Sequence, residues 1–548
     1  MKKLNRLIIA LMCLLLLSAC NGNAPQDQDI HVFYTSDVHC GVDENLGFAK
    51  LKALINDTKE KHNYVALVDL GDYIQGGTYG TLSRGSLIIE MMNSMDYDVV
   101  TIGNHEFDYG LDRLKELMKM ANFPFVAANV RYTGKKESAF KDVPEFIIKQ
   151  YGRKKIAFVG ILLPTSITSA TPVDFMENGE FVYNFYLGHE GRDFYEKIQS
   201  TVNEARRQGA DYVIALSHLG SLIEYTPYDS ISLISHTTGI DVVLDGHSHS
   251  VIIGDHYPNA EGKDVLLSSV GTKMENAGEL IIGKDGTITS LLISEYNRED
   301  ETVREAINNA TGQLNEILTR KVGQVSFDLM MTDENGIRLI RNRETNLGDF
   351  VADAVRDFMN TDVTMYNGGS IRASIKAGDV TYNDLLNVLP FFDSLSAIRC
   401  KGQDIIDALE FCSKNTETII SFEDRAVGEF GGFMQVSGLK YTINASIPSS
   451  ITVDDNGMFT GVAGERRVTD VMILKGYEYV PIDPNAYYTV SSNRYMLLQN
   501  GDGNTAFDHS AVLVDRGPVE LDALIAWMEK AGNNMSEYAQ PQGRITVK

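Results

Sequence analysis

The sequence predicts an α/β fold in two domains, and three observations carry that prediction. Short apolar, β-branched runs alternate with amphipathic stretches over residues 30–297, including residues 48–56 and 111–120, which is the pattern of buried strands joined by helices. A length of 548 residues exceeds what one ordinary core organises. Five of the apolar runs also end on Asp, Asn or His, which in open α/β sheets gathers those side chains at one edge, beyond the carboxyl ends of the strands.

Along the chain, residues 30–35 lead into Asp37-Val38-His39, and residues 64–70 into Gly71-Asp72. Residues 99–102 lead into Gly103-Asn104-His105-Glu106, residues 212–216 into Ser217-His218, and residues 240–244 into Gly246-His247-Ser248-His249. Taken singly, an Asp-x-His or a Gly-Asp is weak, because Asp is a common turn residue. All five in order, each at a strand end, point to one shared metal centre, and their arrangement suits two ions. Residues 279–296 read as a hairpin around Asp285-Gly286. Residues 301–321 carry Val303, Ile307, Leu314, Ile317 and Leu318 at helical spacing and read as one bridging helix. The second domain, residues 322–548, holds helix signals at 346–358, 404–411 and 521–531 and several strands, one at 363–366.

The N-terminus reads as a targeting segment. Lys2, Lys3 and Arg6 precede an apolar run over residues 7–17, followed by Leu17-Ser18-Ala19-Cys20. That string resembles a bacterial lipobox, which implies cleavage after residue 19, lipid on Cys20, a tether over residues 20–29, and an exported protein anchored to a membrane on its periplasmic or cell-surface side. The net charge is −25, and loss of the leader makes it three units more negative. Such a surface repels polyanions, so polymeric nucleic acid is not an expected partner, while a small anion can bind where local cations prevail. Cys40, Cys400 and Cys412 are left once Cys13 and Cys20 are set aside. An odd number argues against a disulfide framework, and all three read as plain core residues. His31, His62, His189, His236 and His256 lack motif context.

In the second domain, Asn367-Gly368-Gly369-Ser370-Ile371-Arg372 follows a strand. Its paired glycines expose backbone N–H groups, and Arg372 adds a cation, a combination that suits phosphate.

These motifs together resemble the calcineurin-like metallophosphoesterases, and more closely the bacterial 5′-nucleotidase and UDP-sugar hydrolase family, over nearly the whole chain. The resemblance implies a four-layer α/β/β/α metallophosphoesterase sandwich over residues 30–300, the bridging helix, and a C-terminal α+β substrate-binding domain. It implies that Asp37, His39, Asp72 and His249 hold one divalent ion, and that Asp72, Asn104, His218 and His247 hold the other, with Asp72 bridging. Mixed imidazole, amide and carboxylate donors suit Zn or Mn and also accept Co or Mg. Some members carry Gln at the position of His249. His105 and Asp108 correspond to a catalytic dyad in which Asp orients His, and Glu106 is read as loop support. Arg341 corresponds to the first Arg that meets phosphate, with Arg343 as a helper or a surface charge. Phe433 corresponds to one base-stacking aromatic, Tyr495 is chosen as the opposing one in a segment that departs from the family pattern, and Asp502 accepts from ribose hydroxyls.

The implied reaction is hydrolysis of nucleoside 5′-monophosphates, and of UDP-sugars as a wider option, by in-line attack of a hydroxide shared between two metals. The alternatives are a 2′,3′-cyclic-nucleotide 2′-phosphodiesterase with 3′-nucleotidase activity and a non-catalytic nucleotide-binding lipoprotein. A thiosulfohydrolase of the same superfamily fits less well, since an inorganic sulfur group needs no base stack. Oligomeric state is not legible.

Overall fold

The computed structural model describes residues 28–548, apart from 313, 423, 424, 533 and 534. The leader and Cys20 therefore lie outside the described residues. Among the described residues, no helix is long and apolar enough to cross a membrane.

The N-terminal domain is built on two sheets. One has the order Ile288–Ile293, Ala277–Ile282, Ile30–Thr35, Val65–Asp69, Val99–Val100. The other has the order Val251–Pro258, Asp264–Val270, Val242–Asp245, Tyr212–His218, Lys154–Leu162, Phe146–Tyr151. Successive side chains on a strand point to opposite faces. Val32 and Tyr34 therefore meet Phe158, Ile214, Leu216 and Leu244 between the sheets. Phe33 faces outward, against the helices Gly47–Lys59, Ser86–Met95 and Leu111–Met120. The second sheet buries Val159, Ile161 and Ala215 against Arg192–Arg207 and Ser230–His236. Helix, sheet, sheet, helix is the expected four-layer order. The hairpin forms as expected, with Ala277–Ile282 antiparallel to Ile288–Ile293.

Tyr34 joins the two sheets. Its hydroxyl lies 2.5 Å from Ser268 Oγ and 2.9 Å from Ser290 Oγ, inside the sandwich. Its ring occupies the space a side chain at Gly278 would need, since a Cβ there would sit 1.9 Å away.

The expected single bridging helix is two helices. Glu301–Gly312 packs Val303 and Ile307 into the N-terminal core, and Arg304 pairs with Asp43 and Glu299. Asn315–Leu318 is a separate short helix whose Leu318 belongs to the C-terminal core, and Ile317 is 50% exposed. Lys321 does not continue a helix but starts the strand Lys321–Val325, paired with Gly378–Thr381. The apolar spacing was real, but its two halves serve different cores. Gly312, a weak helix former, stands where the first helix ends.

The C-terminal domain centres on a sheet ordered Met434–Ser437, Val363–Asn367, Tyr487–Asn493, Leu395–Lys401, Ala511–Val514. One face buries Val363, Ile398 and Val490 with the helix Gly402–Cys412. The other face covers Tyr366 and Leu395 with Asn346–Met359 and Glu520–Ala531. Cys40, Cys400 and Cys412 are free and buried. Direct bonds join the domains: Thr78 Oγ1 donates to Asn383 Oδ1 (2.5 Å), Thr81 Oγ1 to the Pro390 carbonyl (2.5 Å), and Tyr495 Oη to the Ser169 carbonyl (3.0 Å).

Tyr34→Phe removes the hydroxyl that links the two sheets while keeping the ring. It is expected to lower stability by about 1–2 kcal/mol with the fold retained, measured by urea unfolding.

Candidate active site

All five strand-end motifs converge. Asp37, His39 and His249 place ligand atoms within 4.8 Å of one another, as do Asp72, His218 and His247, and as do His39, Asp72 and His105. His39 Nε2 lies 3.1 Å from His249 Nε2 and 3.9 Å from Asp72 Oδ2. His249 Nε2 lies 3.5 Å from Asp37 Oδ1, and His218 Nε2 is 3.0 Å from Asp72 Oδ2. Asn104 Oδ1 lies 2.9 Å from His247 Nδ1. Asp72 therefore stands between His39 on one side and His218 with His247 on the other.

The backbone is contorted to achieve this. Asp37, His39, Asp72, His247 and His249 all have left-handed φ values, between 44° and 75°. That region costs a non-glycine residue on the order of 1 kcal/mol or more and concentrates at functional sites. Close packing adds a second demand. A Cβ on Gly103 would sit 2.1 Å from Asp72 Oδ1, and one on Gly246 would sit 2.2 Å from Ser36 Oγ.

Second partners fix the imidazoles. His39 Nδ1 lies 2.8 Å from the Gln75 carbonyl, and His218 Nδ1 lies 2.7 Å from the Leu70 carbonyl. A carbonyl accepts only from N–H, so each ring turns Nε2 into the site. The backbone N–H of His247 donates to both oxygens of Asp37, at 3.0 and 3.1 Å.

The electrostatics suit cations. Asp37 and Asp72 are buried side by side. Burial pushes His39 and His247 down to about 3 and His249 well below its usual value, so all three are neutral donors. Burial opposes a charge on His218 too, but Asp72 and Asp37 overcome it and lift that imidazole to about 10. Burial likewise opposes ionisation of Asp72, and His218 and His105 reverse it, holding its carboxyl well below the usual range. His218 Nε2 is buried and makes no hydrogen bond despite its nearness to Asp72. An imidazole nitrogen held 3.0 Å from a shared carboxylate with no well-formed hydrogen bond is what a divalent ion between them would satisfy. The mixed N/O donor set fits Zn or Mn and also admits Co or Mg.

Glu106 has the supporting part expected of it. Its carboxylate accepts from the backbone N–H groups of Asp72 (2.8 Å), Tyr73 (2.9 Å), Ile74 (3.3 Å) and Gly103 (2.7 Å), tying two ligand loops together. Asp245 similarly accepts from Ser230 Oγ (2.7 Å) and stands 3.3 Å from the Leu219 and Gly220 N–H groups, beneath His218. The dyad is formed, with His105 Nδ1 2.6 Å from Asp108 Oδ2 and the His105 N–H donating to Asp72 Oδ1 (2.8 Å). Burial works against a charged His105, but Asp108 and Asp72 outweigh it and raise its pKa.

The C-terminal domain faces this centre. Arg372 acts electrostatically on His39, His105, Asp108 and His249. Burial, then Arg341 and Arg338, brings Arg372 down to about 9. Burial and Arg338 lower Arg341 as well, and its Nε is buried without a partner. Clustered, poorly compensated guanidiniums call for an anion. Arg338 is bound bidentately by Glu429, both contacts at 2.5 Å. Arg343 instead bonds the carbonyls of Asn342 (2.7 Å) and Glu417 (2.6 Å), so it holds a loop.

Three expected substrate contacts need correction. Gly368 does not present a free N–H, because it donates to the Phe433 carbonyl (2.7 Å), and Gly369 donates to Gly431 (2.8 Å). Gly368 is glycine for another reason: a Cβ there would sit 2.0 Å from the Ile340 carbonyl. Asn367 is buried, with Oδ1 taken by Ser370 Oγ (2.8 Å) and Asn493 Nδ2 (2.9 Å), so it braces the loop. Phe433 is fully buried in the C-terminal core and offers no face to a base. Phe430 is half-buried, its ring 5.7 Å from that of Phe411. Tyr495 is half-buried, its hydroxyl between Asp502 N (2.8 Å) and the Ser169 carbonyl. Asp502 lies beside Gly431 and within electrostatic reach of Arg341 and Lys414. Burial raises its carboxyl to about 6 against those two cations.

Sequence reasoning missed Arg338, Phe430, Phe391 and Tyr225. The rings of Phe391 and His105 are 5.9 Å apart, and those of Tyr225 and His247 are 4.8 Å apart. The Arg338-x-x-Arg341 spacing and the flanking of Gly431-Gly432 by two phenylalanines were the available signals for the first two.

Residues 30–251 match the calcineurin-like phosphoesterase family, and residues 321–509 match the 5′-nucleotidase C-terminal domain. The chain belongs to the calcineurin-like phosphoesterases that carry a 5′-nucleotidase C-terminal domain. A solved 5′-nucleotidase precursor from Thermus thermophilus is 25% identical, covers 95% of this chain and 99% of its own, and superposes with a TM-score of 0.76. The trifunctional nucleotide phosphoesterase protein YfkN of Bacillus subtilis is 26% identical over 96% of this chain, which spans 35% of that relative. Snake venom 5′-nucleotidase from Gloydius brevicauda is 26% identical over 87% of this chain and 82% of its own. The chain is therefore a phosphoesterase, with Asp and His groups that could hold divalent metal.

Glu106→Gln keeps the shape but removes the charge that anchors four N–H groups. It is expected to weaken metal binding about tenfold to hundredfold, measured by competition with a chromogenic chelator.

Proposed function

We propose that the protein hydrolyses nucleoside 5′-monophosphates to nucleoside and phosphate. The observation that carries this reading is that the candidate metal ligands and the His105–Asp108 pair lie within electrostatic reach of Arg372 and Arg341, with Asp502 in reach of Arg341. When bound, two divalent ions held by Asp37, His39, Asp72 and His249, and by Asp72, Asn104, His218 and His247, supply Lewis acidity and a nucleophile at neutral pH. Arg372 and Arg341 draw the phosphate toward the ligand loops and offset its charge. His105, whose charged form Asp108 and Asp72 favour against burial, donates to the phosphoryl oxygens and supports departure of the sugar oxygen. Asp502 accepts from the ribose, with Phe430 and Tyr495 as the aromatic walls nearest it.

A second reading extends the substrate range to UDP-sugars, cyclic nucleotides or 3′-nucleotides. It is favoured by the match to a relative described as trifunctional over nearly this whole chain. The leader and Cys20 make this an exported lipoprotein acting on nucleotides outside the cytoplasm. Cys20→Ser is expected to move the protein from the membrane fraction to the soluble fraction, and retention in the membrane fraction would reject the anchor.

The deciding assay is phosphate release from AMP, UDP-glucose, 2′,3′-cyclic AMP and 3′-AMP by the protein lacking its leader. Chelation is expected to abolish turnover of AMP, and Mn, Zn, Co or Mg to restore it in differing degree. His105→Ala should lower kcat about 10²- to 10⁴-fold, and Asp72→Ala should remove activity. Preference for the cyclic or 3′ substrates would shift the assignment to the second reading. Nucleotide binding without any turnover would reject catalysis.

A further inference from the structure

The His105 imidazole is tied at one corner, where Nδ1 lies 2.6 Å from Asp108 Oδ2. A carboxylate accepts only from N–H, so that corner is committed and Nε2 is the nitrogen left for a reacting oxygen. A single hydrogen bond tolerates a range of angles, so by itself it leaves the plane of the ring free to tilt. Two other rings set that plane. His39 stands edge to face with it, 5.2 Å between centres and 72° between planes, and Phe391 lies against it at 5.9 Å and 34°. His39 belongs to the same domain as His105, and Phe391 to the other.

The segment that carries Phe391 is anchored from both domains. The Pro390 carbonyl, just before it, accepts from Thr81 Oγ1 of the N-terminal domain in a buried bond (2.5 Å). Two residues after it, Asp393 Oδ2 accepts from the Tyr495 N–H (3.0 Å) and Oδ1 from the Ser394 N–H (2.7 Å). The Asp393 N–H donates to Glu520 Oε1 (3.2 Å), and its carbonyl accepts from the Glu520 N–H (3.0 Å). Glu520 is fully buried and also accepts from the Tyr366 hydroxyl. Between these anchors Phe392 is left-handed (φ 56°), a conformation that persists in a bulky residue only where the surroundings impose it. Phe392 is 40% exposed, while Phe391 meets His105. The same stretch touches the arginine side, where the Val388 carbonyl accepts from the Arg372 N–H (2.9 Å). A phenyl ring offers an imidazole no conventional hydrogen bond. What it does offer is a flat apolar surface that restricts tilt.

We propose that Phe391 is a positioning residue for His105: its ring, delivered from the C-terminal domain, holds the plane of the imidazole so that Nε2 is aimed at the sugar oxygen as it departs. The inference rests on the 5′-nucleotidase reading above and deepens it, because protonation of the leaving oxygen then depends on both domains. In that step the bond from phosphorus to the 5′ oxygen breaks and its electron pair stays on the sugar oxygen. The proton on Nε2 joins that oxygen, while an oxygen from water forms the new bond to phosphorus. Aim matters because a misplacement of about 1 Å lowers a rate on the order of a hundredfold. A ring that merely filled the interface would affect stability, metal content or affinity in place of kcat.

The test measures phosphate release from AMP by the wild type, Phe391→Ala, Phe391→Leu, His105→Ala and the Phe391→Ala, His105→Ala double variant, with metal content and thermal unfolding as checks. Phe391→Ala is expected to lower kcat about tenfold to hundredfold, with KM within about twofold and metal content unchanged. Phe391→Leu keeps an apolar side chain there and should recover part of the loss; it takes the place of Phe391→Ala in every comparison if the alanine variant does not fold. In the His105→Ala background, read by single turnover with enzyme in excess, removing the ring should cost almost nothing further, since no imidazole is left to hold. A kcat within about threefold of wild type in Phe391→Ala would overturn the proposal. So would a loss carried by KM or by missing metal, and so would an equal loss with and without His105, the results of a ring that only packs the interface. A wild type that releases no phosphate from AMP would instead sink the underlying reading, so the wild-type rate separates the two failures.

Discussion

Two carboxylates, Asp37 and Asp72, are buried within a few ångströms of each other, and the surrounding structure is organised around that charge. Placing ionised carboxylates away from water costs several kcal/mol each unless cations or hydrogen bonds compensate. Compensation here comes in layers. His247 N–H and Ser36 Oγ donate to Asp37, the His105 N–H donates to Asp72, and the His218 imidazole leans on both. The charge left over is what a pair of divalent ions would neutralise. The strained ligand loops and the glycines beside them are consequences, because no relaxed backbone brings five separate strand ends to one point.

Glu106 shows how that strain is held. One carboxylate collects four backbone N–H groups from two loops, so the segment carrying Asp72 and the segment carrying Asn104 and His105 move as one body. A rigid first domain of this kind can present metal ligands and a general acid with fixed geometry. The second domain brings the arginines Arg372 and Arg341 within electrostatic reach of these ligands. Arg341 and Arg372 are half-buried and poorly compensated, which is costly in isolation and useful opposite a phosphate. The two domains are complementary in charge across the cleft, and Thr78, Thr81 and Tyr495 bond them directly.

The N-terminal half of the site was legible because each ligand follows a strand, and strands announce themselves through apolar runs. Boundaries slipped by only a residue or two, and Leu111–Met120 fell where expected. The C-terminal half was less legible because its residues lie on loops whose side-chain directions depend on neighbours far away in sequence. Phe433 and Phe430 differ by three positions, and only the packing of the C-terminal core shows that the first is interior and the second half-buried at its edge. The Gly368-Gly369 pair suggests open N–H groups, but both donate to carbonyls in the segment 431–433, a partner that local sequence cannot reveal. Residues 301–321 failed as one helix for the same reason, since a single apolar periodicity was divided between two cores.

By itself the sequence determined the two-domain α/β fold class, and it singled out the strand-end Asp and His residues and the His105–Asp108 pair that the structure brings together. These follow from strand periodicity and from residue types whose chemistry needs few neighbours to be recognised. The tertiary structure alone decided which C-terminal side chains are buried and which stay accessible. It turned Phe433 inward and left Phe430 half-buried, closed off Asn367 and Gly368, brought Arg338 to the arginine cluster, and set Phe391 against His105. Burial and charge balance are sums over the whole molecule, so a loop residue's role is fixed by what packs against it.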